Sequence, residues 1–524
     1  MIKNNNIPEN KSSNNKKALF LIMLGTIILF FIFAFLKSGL FLDEIYTFGL
    51  SNSHESGFIK AKMDGDVREK IITREIFEDY LSVQPDEKFD FVSVYHNQEK
   101  DVHPPLYYWL FNILYSFFPN SYSRWPAHLM NLTFHLITVL ILSKLLNRLF
   151  SSKISFLCTA LYAFSSISIS TALMIRMYVL LTTLTISLAY LILDILENPK
   201  WYDYILLTIN IYLGLMTQYF FVFYAFFVCL TCLIYFLLKK QYKLACTFSI
   251  SALLGVIFMV LSFPAVINHL IGDGLVSGTT AVSNALDIKG YLKSILIFGA
   301  TTFVRLPIAI ILGSICLIIS FSNHFDKTTD NEKKINRTRS VLIFLPAIIS
   351  FFIIAIVSPY KTSRYIWNIV PIFIVCLAFV IDTSKLMEKH FNLIPYLLLA
   401  TFIFDIVFKP EYLMPDTKTI EESLKNYTNL PCVLIQPNGN PQITANMMQL
   451  MEFDNILVTD NTESENIQLY LDNNENCIIC INTRIDDHII IAEEVLKSFN
   501  NLYEFNNSSL LTKSPFYDIY YLSK

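Results

Sequence analysis

The chain has 524 residues, of which 54% are hydrophobic and only 16% charged, and its formal net charge is −3. So apolar a composition excludes an ordinary soluble protein, because stretches of about 18 or more apolar residues read as membrane-spanning helices. The net charge decides little, since the distribution of charge matters more than its sum in a membrane protein.

Residues 1–17 form an Asn/Lys-rich leader (MIKNNNIPENKSSNNKK), and the first apolar run covers 18–38. That run is long and no small-residue cleavage site follows, so it reads as an uncleaved first span. Further runs at 126–146, 154–173, 178–196, 203–218, 219–238, 244–263, 302–321, 340–358, 365–381 and 392–408 follow. Together they predict about eleven spans. Four basic groups fall on one side when the spans alternate: Lys11, Lys16 and Lys17; Lys144, Arg148 and Lys153; Lys239, Lys240 and Lys243; and Lys327, Lys333, Lys334, Arg337 and Arg339. That side is expected to be the cytoplasm. The segment 105–118 (PLYYWLFNILYSFF) is short for a span, and counting it as one would move the Lys144 group outside. It reads as a helix at the outer interface, with Pro104 and Pro105 in its first turn. Tyr107, Tyr108, Trp109 and Tyr115 suit headgroup depth.

Two large segments then lie outside. One is the acidic loop 40–104, within an outer stretch 40–125 that carries juxtamembrane helices. The other is the tail from residue 409, and 264–301 is a smaller outer loop. The tail mixes strand-like runs (CVLIQ, NILVTD, CIICIN, FYDIYYLS) with a helical one (AEEVLKSFNNL), which predicts a small extracytoplasmic α/β domain over 409–524. The expected architecture is a polytopic α-helical membrane protein: cytoplasmic leader 1–17, membrane module 18–408, and that domain. Of nine cysteines, Cys158, Cys229, Cys232, Cys246, Cys316 and Cys376 lie in apolar runs and read as small packing residues. The "CIIC" at 477–480 has the spacing of a redox or metal pair, but its β-branched setting reads as a strand, where i and i+3 face opposite ways.

The outer face carries the chemistry. "FLDEIY" places Asp43 and Glu44 just past the first span, with no neighbouring residue in sequence that neutralises them. "DVHPPLYYW" brings His103, "SRWP" Arg124, and "MIRMYVL" Arg176 and Tyr178. "MTQYFF" brings Gln218 and Tyr219, and "SPYKTSRYIWNIVP" Lys361, Arg364 and Tyr365. Each alone has a plainer reading: first-turn acids favoured by a helix dipole, arginines anchoring in lipid headgroups, tyrosines of an interfacial belt. Together, acids at a membrane mouth and cations at the same depth on separate spans suit an anionic substrate partly embedded in lipid. Arg holds phosphate bidentately, Lys as a point charge, and a carboxylate can take a proton from an attacking hydroxyl.

Across residues 15–380 these motifs, in this order, resemble the bacterial branch of the GT-C glycosyltransferases, which includes protein O-mannosyltransferases and lipid A aminoarabinose transferases. The resemblance implies transfer of a sugar from a polyprenyl-phosphate-linked donor to an acceptor hydroxyl at the outer face of the cell membrane, usually with inversion. It implies Asp43 as general base and Glu44 as its neighbour in an acceptor or metal site. His103 would help shape that site, and a divalent cation is the one cofactor left open. Arg176, Lys361, Arg364 and Tyr365 would hold the donor phosphate, with Arg124 in a less defined role. Tyr178, Gln218 and Tyr219 would line the pocket. Gln218 departs from the Thr-His-Tyr of many relatives, so a histidine role there is lost or displaced. The implied partners are the lipid-linked sugar, membrane lipid and a glycan, lipid or protein hydroxyl, and no nucleic acid. Alternatives from other classes are a flippase for an amphiphilic anion, against which stands the lack of repeat halves and of Gly/Pro-broken helix pairs, and a scaffold, which leaves the outer charges unexplained. A polysaccharide polymerase or ligase would carry its key groups in a late outer loop instead.

Overall fold

The computed structural model describes residues 9–524 except 55–67, 272–282, 285, 323–329, 387–389, 437–442, 445–446, 472–473, 483, 486–487, 490–491 and 514–516. The start of the leader (1–8) and Lys327 lie outside the described residues. Two compact units divide the chain. A membrane unit comprises Met1–Ala34, Val102–Tyr107 and Ala127–Glu411, and a sheet unit comprises Phe35–Asp101, Tyr108–Pro126 and Tyr412–Lys524.

Among the described residues seven helices are long and apolar enough to cross a membrane: Lys16–Leu36, Trp125–Leu149, Tyr178–Glu197, Phe221–Leu238, Tyr242–Ser262, Asn331–Val357 and Ser363–Ser384. Two further pairs are bent, Ser152–Ala163 with Ser166–Leu173 by 52° and Ile288–Phe303 with Pro307–Ser320 by 110°, giving up to nine spans. The expected eleven therefore becomes seven to nine. The two remaining runs are helices too short for the criterion, Trp201–Thr217 of 17 residues and Ile394–Val407 of 14.

The breaks have local causes. Ser165 restarts the chain by accepting from the Ser168 amide, while Ser170 and Thr171 turn their hydroxyls back onto the Ser166 and Ile167 carbonyls. Pro307 opens the second half of the other pair, because a first-turn proline has no amide to satisfy. Lipid gives helices no hydrophobic reason to associate, so close approach and polar contacts decide. Thr208 donates to the Ser251 carbonyl at 2.8 Å, and a Cβ at Gly255 would lie 2.8 Å from the Thr208 oxygen, so helices Trp201–Thr217 and Tyr242–Ser262 meet backbone to backbone there.

The sheet unit is built on six strands: β1 Lys70–Thr73, β2 Cys432–Ile435, β3 Asn455–Thr459, β4 Asn476–Asn482, β7 Asn507–Lys513 and β8 Tyr517–Ser523, in the order β1-β3-β2-β4-β8-β7. A separate hairpin pairs β5 Arg484–Ile485 with β6 His488–Ile489. Strands β3, β2 and β4 are parallel, and the others join antiparallel. Strand β1 comes from the first outer loop and pairs with β3, Ile72 opposite Ile456. Helices Glu465–Leu471 and Ala492–Tyr503 cover one face through Ile467, Leu471, Leu496 and Phe499. Cys477 points into that face. Cys480 lies on the other, its sulfur 3.7 Å from that of Cys432, so the two cysteines of "CIIC" do not act as a pair.

The segment expected along the outer interface forms the helix Leu106–Tyr115. Its aromatic face does not meet lipid, because Tyr107, Tyr108, Phe111 and Tyr115 are fully buried. Phe111 stacks on Tyr115 at 4.5 Å, and Phe48 meets both edge-on at 4.9 and 5.3 Å. That cluster seats the helix Leu42–Asn52, which carries the acid pair.

Candidate functional site

Asp43 and Glu44 occupy the first turn of Leu42–Asn52, where a helix dipole favours acids. Adjacent residues on a helix point about 100° apart, and the two carboxylates meet different surroundings. Asp43 is half-buried, and its carbonyl accepts from Thr47 Oγ1 at 3.0 Å. Glu44 is fully buried. Its Oε2 accepts from Lys37 Nζ at 3.0 Å and from the Phe41 amide at 2.7 Å, and Lys37 also donates to the Tyr412 carbonyl at 2.6 Å. Burial pulls the Lys37 pKa down, with the Glu44 charge opposing it. The expectation of an acid pair without a neutralising neighbour is thus corrected: Lys37, seven residues upstream, matches Glu44. The same junction stacks Phe41 on Tyr412 at 4.9 Å and bonds the Ser38 amide to the Leu413 carbonyl at 2.9 Å.

Arg124 belongs to this unit, not with the other arginines. Its charge acts on Lys37, Tyr122 and Glu421. Burial raises the Glu421 carboxyl and Arg124 opposes that rise. Glu44 Oε2 accepts from both an ammonium and an amide. Among the described residues no group of three or more His, Cys, Asp or Glu side chains could hold a metal.

The membrane unit carries the remaining residues. Its chain leaves helical geometry between Leu173 and Tyr178, where Arg176 is 4% exposed, with Nη2 3.4 Å from His103 Nδ1. Tyr178 meets Trp367 edge-on at 5.7 Å, which joins this break to the segment Ser363–Ile369. There Arg364, 9% exposed, lies 5.7 Å over the Tyr365 ring, and Tyr365 packs on Phe220 at 4.8 Å. Contacts thus link His103 and Arg176, through Tyr178 and Trp367, to the segment of Arg364 and Tyr365 and on to Phe220 of the Gln218–Phe220 turn. Lys361 serves otherwise. Its ammonium donates to the Ala355, Ile356 and Ser358 carbonyls at 3.1, 3.1 and 3.0 Å, capping the helix Asn331–Val357, and burial lowers its pKa. Gln218 shapes its own turn by accepting from the Phe220 amide.

Four residues here were not anticipated. His269 Nδ1 lies 2.8 Å from Tyr219 Oη, so a histidine does stand at this turn, from the short helix Val266–Ile271. Arg305 pairs with Glu411, which also accepts from Ser363 Oγ at 2.8 Å, beside Arg364. Asn131, fully buried in Trp125–Leu149, reaches the break before Arg176. Asn131 had a readable signal: His128, Asn131, His135 and Thr138 form a polar stripe at helical spacing within an apolar run.

Residues 102–267 match the family model described as dolichyl-phosphate-mannose-protein mannosyltransferase. No curated protein matches the chain by sequence. Among solved structures, ArnT from Cupriavidus metallidurans bound to undecaprenyl phosphate superposes with a TM-score of 0.53 at 9% identity, covering 96% of this chain and 97% of that one. Its apo state gives the same values. The archaeal oligosaccharyltransferase AglB from Archaeoglobus fulgidus, in complex with an inhibitory peptide and a dolichol-phosphate, reaches 0.44 at 9% identity, over 90% of this chain and 70% of that one. The chain therefore has the fold seen in the ArnT structures and, over residues 102–267, matches the dolichyl-phosphate-mannose-protein mannosyltransferase family model.

Proposed function

We propose that this protein is a membrane glycosyltransferase that moves a sugar from a polyprenyl-phosphate-linked donor to an acceptor hydroxyl at the outer face of the cell membrane. The observation that carries the reading is that two buried arginines, Arg176 and Arg364, stand on chain segments that Tyr178 and Trp367 join edge-on at 5.7 Å. A donor with a phosphate head and a prenyl tail also needs an apolar berth. An apolar groove of about 320 Å³ in the same unit, lined by Phe303, Ile310, Phe351, Phe352, Phe373 and Leu377, offers one. It starts two residues before Arg305.

In this reading the acceptor oxygen attacks the anomeric carbon as the bond from that carbon to the phosphate oxygen breaks. Arg176 and Arg364 stabilise the charge that gathers on the departing polyprenyl phosphate. Asp43, half-buried where Glu44 is fully buried, takes the acceptor proton. Glu44 and Lys37 fix the helix that presents it. Tyr178, Tyr219 and Tyr365 line the donor end, with Lys361 as a helix cap. No step is routed through a metal. The N-terminus is assigned to the cytoplasm and the sheet domain to the outside from the basic loops. Acceptor candidates are a glycan, lipid or protein hydroxyl.

The test uses the purified full-length chain in liposomes with a panel of polyprenyl-phosphate monosaccharides. Release of polyprenyl phosphate together with a glycosylated acceptor is the expected result. Movement of the donor between leaflets without sugar release would instead support a flippase.

A further inference from the structure

We propose that Asn131 is the positioning residue that holds Arg176 in place, by fastening the backbone where the membrane helices break; its link to donor binding rests on the function proposed above. The chain between Leu173 and Tyr178 has left helical geometry, and Met174 is extended (φ −71°, ψ 117°). Carbonyls freed at such a break have no water to turn to within a bilayer and must be met by protein. Asn131 meets two of them. Its Nδ2 donates to the Met174 oxygen at 2.8 Å and to the Ala172 oxygen at 3.1 Å.

The Met174 oxygen is also the acceptor for the Arg176 amide, at 2.8 Å. One carbonyl thus receives both the Asn131 side chain and the backbone of the arginine. On its other side Asn131 Oδ1 accepts from Tyr107 Oη at 2.9 Å. Tyr107 follows His103 by four residues, and His103 lies 3.4 Å from the Arg176 guanidinium. A closed ring results: Asn131 to Tyr107, along the chain to His103, across to Arg176, and back through Met174. An asparagine side chain offers two N–H donors and one oxygen, and all three serve this ring. Neither leucine, of similar size, nor aspartate, which lacks the donors, could replace it.

The experiment compares the full-length protein in detergent with Asn131→Leu, Arg176→Ala and the double variant. It reads amide hydrogen exchange over 174–178 and the Kd for undecaprenyl phosphate. Asn131→Leu is expected to speed exchange at 174–178 and to weaken binding about tenfold, the size of one net hydrogen bond to a charged or tightly held group. The double variant is expected to bind no worse than Arg176→Ala alone, because Asn131 acts through that arginine. Multiplying losses, or exchange as slow as in the wild type, overturns the proposal. If Asn131→Leu does not fold, Tyr107→Phe removes one hydroxyl from the ring, and unchanged exchange in that variant overturns it equally. A wild type that does not bind undecaprenyl phosphate sinks the donor reading instead, while exchange still decides the role of Asn131.

Discussion

In the sheet unit Lys37 and Glu44 neutralise each other at 3.0 Å with both side chains fully buried, whereas in the membrane unit Lys361 gives its ammonium to three carbonyls and Arg364 lies over the ring of Tyr365. The first arrangement closes a charge off. Both members are fully buried, so what it supplies is a tie between Lys37, the first turn of the helix Leu42–Asn52 and the Tyr412 carbonyl. The second leaves the Lys361 ammonium among backbone carbonyls and the Arg364 guanidinium beside a ring. The same residue types thus meet a carboxylate in one region and carbonyls or a ring in the other.

The acid pair carries the largest expected effects. Asp43→Asn should lower initial rates of sugar transfer by about 10²- to 10⁴-fold, the usual contribution of a general base, with an unchanged unfolding midpoint. Normal transfer by that variant would remove Asp43 from the mechanism. Lys37→Met should show the opposite pattern. It leaves the Glu44 carboxylate buried alone, so the unfolding free energy in detergent should fall by about 3–5 kcal/mol. Replacing both members, Lys37→Met with Glu44→Leu, should restore most of that loss, and a double variant as unstable as the single one would show that the pair is not the cause.

The membrane unit allows a finer cut. Arg364→Ala should weaken undecaprenyl phosphate binding about 10- to 100-fold, as loss of a charge-assisted contact does. Lys361→Met should change that affinity little and lower stability by about 1 kcal/mol, the scale of a helix cap. Equal affinity losses from the two would place Lys361 on the phosphate after all. The smallest effect concerns pH. Burial alone would raise Glu69, but hydrogen bonds from Ser464, Asn466 and Thr459 outweigh it and hold its carboxyl below the usual 4.5. Its contribution is complete above that value and lost as pH falls through the lowered one. Because Glu69 is largely solvated, the effect stays below about 1 kcal/mol. Glu69→Gln should flatten the acid limb of stability against pH, and an unaltered limb would count against these bonds.

What could be read from the sequence followed from how local each cause is. The spans were legible because an apolar run needs no partner to be recognised, and the strands of the tail because β-branched runs ended at turn residues. The bends were not, since they depend on serine hydroxyls competing with the helix at Ser165 and Ser170. Arg176 and Arg364 were picked out by depth and type. The capping role of Lys361 was not, because it needs the chain to fold back over the end of its own helix. Glu44 was misread as unmatched because Lys37 lies past the end of one helix and Glu44 inside the next, so no helical spacing links the two. His269 was invisible for a similar reason: a short helix 50 residues away brings it to Tyr219.

Strand β1 has a consequence in time. Ile72 must wait for Ile456, 384 residues later in synthesis. At about 5–20 residues per second, tens of seconds pass while the first loop stands outside its sheet. Contacts of such long range are slow to close and leave unpaired strand edges exposed meanwhile. The half of β3 that β1 would cover is equally bare in any chain that stops early or folds its tail alone. The sheet is thus stitched from the earliest and latest parts of the polypeptide, and a finished sheet certifies that every helix between them has been made.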